Sequence, residues 1–194
     1  MTRNEGRRSR RDETADARNR FANLFGGFWD GVADEADVHR QVETIEKLLA
    51  LRPDDRLLVY PLRGYRLTLA LAARGYAVIG HDPAPAAVAQ CAALADRQRQ
   101  AGRFRPWTAP CAADAERGTA AICLGWDRAP DELATWLAPA LEPHGRALIE
   151  LTPDVTRESL DPAFRRAGFT LDRDSHDLAR GSDLRARPVV VARR

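Results

Sequence analysis

The stretch Arg56-Leu57-Leu58-Val59-Tyr60-Pro61-Leu62-Arg63-Gly64-Tyr65-Arg66, continued by Leu69-Ala70-Leu71-Ala72-Ala73-Arg74-Gly75-Tyr76-Ala77-Val78-Ile79-Gly80-His81-Asp82, decides the fold. A short apolar run meets a loop, then a leucine- and alanine-rich segment, then a second apolar run that ends in an acid. This order predicts strand, tight loop, helix and strand. Asp82 follows the loop by about 20 residues, the spacing at which a nucleotide-binding α/β unit sets a carboxylate against a ribose. Such loops ordinarily carry several glycines, and this one carries Gly64 alone.

The flanking sequence keeps the same alternation. Upstream, Val38, Val42, Ile45, Leu48 and Leu49 share one face of a helix expected over 38–51, and Pro53-Asp54-Asp55 ends it. Downstream, a helix over 67–74 precedes a strand over 76–81, and a further helix is expected over 85–101. A weak strand at 104–108 and a fully apolar strand at 119–124 follow, the latter suited to the centre of a sheet. A helix over 131–141, a turn at Pro143-His144-Gly145, a strand over 146–151 and a helix over 157–167 lead to a terminal strand pair near 170–173 and 188–192. Strand–helix alternation of this kind predicts a doubly wound, mostly parallel sheet.

The unit from Leu57 to Asp82 resembles the first βαβ unit of class I S-adenosylmethionine-dependent methyltransferases. Their pattern is a strand ending in an acid, a loop of the type Cys-Gly-x-Gly, a helix, and Gly-x-Asp closing the second strand. The half from Leu69 to Pro85 matches well. Further on, Leu141-Glu142-Pro143-His144-Gly145-Arg146-Ala147-Leu148-Ile149 is similar to the family's Leu-x-Pro-Gly-Gly turn, and Ala167-Gly168-Phe169 to its Ala-Gly-Phe. The resemblance runs from about Phe28 to the C-terminus. It implies a Rossmann-like, seven-stranded sheet with an antiparallel terminal strand, and S-adenosylmethionine as the family's cofactor. It assigns cofactor contacts to Gly64, to Asp82 for the ribose hydroxyls, and to Asp114 for the adenine amino group.

The loop departs from that pattern where the family touches its cofactor. Val59 stands at the acidic position, and Arg63 and Tyr65 stand where two glycines are usual, with Leu62 before them. Family glycines let the backbone pass beneath the methionine moiety and adopt φ > 0. A side chain forced into such a conformation costs about 1–3 kcal/mol. Its bulk also enters or borders the ligand's volume. The family's Phe-Asp at the start of the fourth strand reads Thr119-Ala120 here. Arg63 and Arg66, at a helix N-terminus, suit an anion equally well as open solvent.

Composition bounds the remaining classes. With 194 residues and 44% hydrophobic content the chain suits one soluble domain with a sizeable core. A formal net charge of +2 is too small to call for nucleic acid. No apolar run approaches the ~20 residues of a membrane span, and the first residues lack the apolar core of a signal peptide, so the expected location is the cytoplasm. Cys91, Cys111 and Cys123, odd in number and widely spaced, predict neither disulfides nor a metal site, and the four histidines show no ligand spacing. No metal is expected.

Residues 1–20, dense in charge and almost free of large apolar side chains, read as a disordered tail. Residues 21–55 hold an aromatic cluster (Phe21, Phe25, Phe28, Trp29) and the first helix, and residues 56–194 the Rossmann-like domain. The cluster is core by its composition, and the resemblance makes it equally a lid over an active site. At the rim, Trp126 is placed to stack on a planar ligand and Asp127 to act as a base, while Glu150 and Thr152 end the fifth strand. These are the candidate catalytic residues; Asp82 is as well suited to capping a helix as to holding ribose. Three functions follow. The protein is a pseudoenzyme with a degenerate cofactor site, acting through a small molecule or protein partner. Alternatively it is an active small-molecule methyltransferase with a remodelled loop, or a cofactor-free enzyme acting on an anion.

Overall fold

In a computed structural model, the described residues are 35–62, 65–99, 102–107, 117–126, 129–151, 155–172 and 189–194. The expected tail, the aromatic segment 21–31, and Arg63, Gly64, Asp114, Asp127 and Thr152 lie outside them. Helix α1 (Glu35–Leu49) leads into β1 (Arg56–Tyr60), α2 (Tyr65–Ala73), β2 (Ala77–His81), α3 (Pro85–Arg97), β3 (Phe104–Trp107) and β4 (Gly118–Cys123). Then come α4 (Pro130–Ala140), β5 (Leu141–Glu150), α5 (Arg157–Arg166), β6 (Thr170–Leu171) and β7 (Val189–Arg193).

The strands form one seven-stranded sheet in the order β3-β2-β1-β4-β5-β7-β6. Neighbours from β3 to β5 are parallel, and β7 runs antiparallel to both β5 and β6. This is the doubly wound sheet expected, with the apolar strand β4 at its centre. Side-chain alternation divides the core in two. Leu57, Val59, Val78, Ile122 and Leu148 pack beneath α1, α2 and α3. Leu58, Tyr60, Ile79, Ala121, Cys123, Ala147 and Ile149 pack beneath α4 and α5. Both faces are covered, which is why these strands read as continuous apolar runs.

Two boundaries differ most from expectation. Helix α3 stops at Arg97 rather than continuing to 101, because Gln98 leaves helical geometry and Arg99 takes a left-handed φ of 57°. Strand β5 begins at Leu141, ahead of the turn rather than after it. Leu141 already pairs with Gly118, and the register shifts before Ala120 meets Arg146. Pro143-His144-Gly145 is absorbed as an irregularity within the strand, with His144 at φ 66° where the family pattern has glycine.

The amino edge of the sheet is held by a closed polar network. Asp55, 5% exposed, takes two hydrogen bonds of 2.8 Å from the Arg146 guanidinium and one of 2.5 Å from the Thr119 hydroxyl. The Arg52 amide donates to Oδ2 at 2.6 Å, and Arg146 also donates to the Ala50 carbonyl at 2.7 Å. Burial alone raises the Asp55 pKa. The bonds from Thr119 and Arg52 and the charge of Arg146 outweigh burial, so the carboxyl lies below its ordinary value. Thr119, at the position where the family has an aromatic residue before an acid, thus ties β4 to the approach to β1.

Candidate functional site

Ligands of parallel α/β sheets collect at the carboxyl ends of the strands. Here that edge is made by Tyr60 ending β1, His81 and Asp82 at the end of β2, Leu124-Gly125-Trp126 after β4, and Glu150 ending β5. The Leu124 amide donates to the Tyr60 carbonyl at 2.9 Å, so β1 and β4 stay zipped to their tips. Gly125 then turns the chain at φ 63°, a conformation suited to glycine, and sends Trp126 inward.

The inner face of this edge is an aromatic cluster. The Tyr60 ring stacks on His81 with centroids 5.5 Å apart, and meets Trp126 at 5.0 Å and Trp136 of α4 at 5.4 Å. Trp126 and Trp136 are 6.3 Å apart, and His81 lies 6.4 Å from Trp136. Tyr60, Trp126 and Trp136 are buried, and His81 is half-buried. Offset and tilted pairs at these separations contribute about 0.5–1.5 kcal/mol each beyond area burial. The cluster fills the α4 side of the β1 tip.

The opposite face of the same tip is also closed. Val59, in the acid's place, is 2% exposed within the core beneath α1–α3. Leu62, buried beside it, reaches from the loop over Gly80 of β2. A Cβ built at Gly80 collides with Leu62 Cδ2 and falls 2.6 Å from Phe104 Cε2. The glycine of Gly80-His81-Asp82 is therefore required by close packing of the loop. Tyr65, expected to project toward the cofactor, is half-buried and packs against that same core cluster. Arg66 is exposed on α2.

Among the described residues, Asp82 and Trp126 each bury a polar atom at this edge that has no hydrogen-bond partner. Asp82 is 6% exposed; its Oδ1 accepts from the Ala84 amide at 2.8 Å, which starts the turn into α3, while its Oδ2 has no partner. Trp126 is 4% exposed, and its indole N–H likewise has no acceptor. Glu150 is buried too, with Oε2 3.9 Å from a Cβ built at Gly125. The structure thus places Asp82, Trp126 and Glu150 of the predicted residues along the same carboxyl edge. Tyr60, His81 and Trp136 were missed by sequence reading. Their signal was present only as period-two and helical placement, because nothing in sequence says that strand and helix aromatics meet at one edge.

Chemically, the edge offers a buried carboxylate at Asp82 and an apolar side chain at Val59. Asp82 offers the acceptor a ribose diol needs. Val59 cannot bond an ammonium group, and the surrounding tip is apolar. Among the described residues no group of His, Cys, Asp and Glu could hold a metal ion, and no described helix is long and apolar enough to cross a membrane. Cys91 and Cys123 are buried free thiols; burial pushes Cys91 up to about 12 and Cys123 higher still, so neither is a nucleophile.

Comparison with solved structures places this architecture. The chain is similar to a TehB-like SAM-dependent methyltransferase from Corynebacterium glutamicum, at 15% identity over 92% of this chain and 97% of that one, with a TM-score of 0.61. It is similar to the glycopeptide N-methyltransferase MtfA at 12% identity, 84% and 90% coverage and a TM-score of 0.64. It is also similar to the 4+2 cyclase SpnF, at 15% identity, 80% coverage of each chain and a TM-score of 0.58. No family model matches the chain, and neither does any curated protein. The fold is that of class I S-adenosylmethionine-dependent methyltransferases.

Proposed function

We propose that this protein uses the methyltransferase fold as a binding module in the cytoplasm, holding a small molecule or a protein partner at the carboxyl edge, and does not carry out ordinary methyl transfer. The observation that carries this is the tip of β1. Val59, sealed in the core, replaces the carboxylate that would pair with the methionine ammonium, and Tyr60 fills the other side with its ring contacts. A buried ammonium needs a charged or hydrogen-bonded partner, and this position offers neither. That the fold hosts other chemistry fits the likeness to a protein described as a cyclase.

A second reading, an active small-molecule methyltransferase with a remodelled loop, is favoured by Asp82, whose buried Oδ2 is the acceptor a ribose would use. Calorimetric titration with S-adenosylmethionine and S-adenosylhomocysteine separates the two. The binding-module reading expects no saturable heat in the micromolar range. Micromolar binding that disappears in Asp82→Ala overturns it in favour of the second. If Val59→Asp creates binding where the wild type has none, the missing carboxylate is the cause.

A further inference from the structure

The net charge of the chain is small, but it is unevenly spread. Between Asp96 and Asp114 the sequence holds four arginines (Arg97, Arg99, Arg103, Arg105) and no acid, so the rest of the chain sums to −2 against a total of +2. Several arginines elsewhere pair with carboxylates, as Arg74 does with Glu46, Arg146 with Asp55 and Arg166 with Asp131. Arg52, Arg97, Arg99, Arg103 and Arg117 are exposed, and among the described residues no carboxylate forms a salt bridge with any of them. We propose that these five arginines make the amino edge of the sheet a docking surface for the phosphodiester backbone of a nucleic-acid duplex. The proposal stands apart from what the carboxyl edge holds.

Topology gathers them. Strands β2 and β3 are parallel, so α3 between them returns to the amino edge, where it ends at Arg97. Arg99 follows in left-handed backbone at φ 57°. The Arg103 carbonyl accepts from the Val78 amide at 2.7 Å, and its guanidinium donates to the Gly75 carbonyl, so it stands where β2 and β3 begin. Arg52 precedes β1 and Arg117 precedes β4. From β3 across β2 and β1 to β4 is three strand spacings, about 14 Å. Two exposed carboxylates, Asp54 and Asp96, stand among the five guanidiniums and leave the surface basic.

The chemistry of this edge selects the partner. Its large apolar residues, Leu51, Tyr76 and Phe104, are buried or half-buried. A protein partner needs an apolar or aromatic centre, and a single strand needs rings on which to stack its bases. Among the described residues this edge exposes neither. A duplex backbone needs cations alone. Guanidinium, planar and weakly hydrated, matches a phosphate with two parallel bonds.

The test is the salt dependence of binding by the full chain to a labelled, mixed-sequence duplex of about two helical turns, followed by fluorescence anisotropy from ~50 to ~200 mM salt. Wild type binds with a Kd of about 1–100 µM, the non-specific class. The slope of log K against log salt falls between about −3 and −4.5, at about −0.9 for each phosphate neutralised. Arg99→Asn with Arg117→Gln removes one cation from each end of the surface and makes the slope shallower by about 2. Asparagine suits the left-handed backbone of position 99. Arg52→Gln with Arg97→Gln gives the same change and keeps the test decisive should the first pair misfold. Absence of duplex binding at ~50 mM salt up to millimolar protein overturns the proposal. A slope untouched by both pairs overturns it as well, since the contacts then lie elsewhere on the chain. Displacement of the duplex by polyglutamate of equal charge, as effectively as by unlabelled duplex, assigns the surface to an acidic polypeptide and overturns it too.

Discussion

The two edges of the sheet solve opposite problems. At the amino edge, Asp55, Thr119, Arg52 and Arg146 satisfy one another, and the bonds tie together parts of the chain as far as 91 residues apart. At the carboxyl edge, rings pack tightly while Asp82 Oδ2 and the Trp126 N–H are buried with no partner. Polar groups in the first case hold the sheet together. In the second, polar atoms buried without partners cost stability.

The comparison can be broken most sharply at Arg146. Replacing it with alanine strands the Asp55 carboxylate in the interior and should cost about 3–5 kcal/mol, the range for breaking a buried pair. Urea denaturation measures it, and a loss under ~1 kcal/mol would mean the amino-edge network is ornamental.

Tyr60→Leu removes the ring that touches three aromatic neighbours but keeps an apolar filler. A loss of about 2 kcal/mol is expected from lost ring pairs and the space left behind. A neutral result in a thermal melt would show the aromatic cluster to be loosely packed and the β1 tip open after all.

The Asp55 titration is gentler. Its native pKa lies below the unfolded carboxylate value, so its stabilising contribution is fully present above about pH 4 and is lost as pH falls through the native value. The stability difference between wild type and Asp55→Asn should therefore be constant near neutrality and shrink on acidification below about pH 4. A difference that stays level down to the acid limit would remove the electrostatic account.

Smallest of all should be Asp82→Asn. The retained side-chain oxygen still accepts from the Ala84 amide, and the atom exchanged had no partner to lose, so the change should stay within about 1 kcal/mol. A loss comparable to that of Arg146→Ala would make Asp82 a structural residue and erase the contrast between the edges.

The residues themselves disclosed much of this. Apolar runs with period two against period 3.6 placed the described strands and helices, and the departures at Val59, Leu62 and Tyr65 were visible as changes of residue type. The ends of α3 and the start of β5 were not, because Arg99 and His144 adopt left-handed backbone that their side chains do not announce. In the sequence Leu62 is only the residue before the two departed glycine positions; that it overlies Gly80 depends on β2 lying beside β1.

Sequence alone determined the layered architecture, since burial on both faces of a parallel sheet leaves its imprint in local hydrophobic pattern. It also determined which charges are missing from the loop. Tertiary structure alone decided that Tyr60, His81, Trp126 and Trp136, spread across 77 positions from 60 to 136, form one cluster, and that Asp82 and Trp126 bury unsatisfied polar atoms beside it. Side-chain proximity across three strands and a helix is a product of packing, and no local pattern encodes which distant rings will share a face.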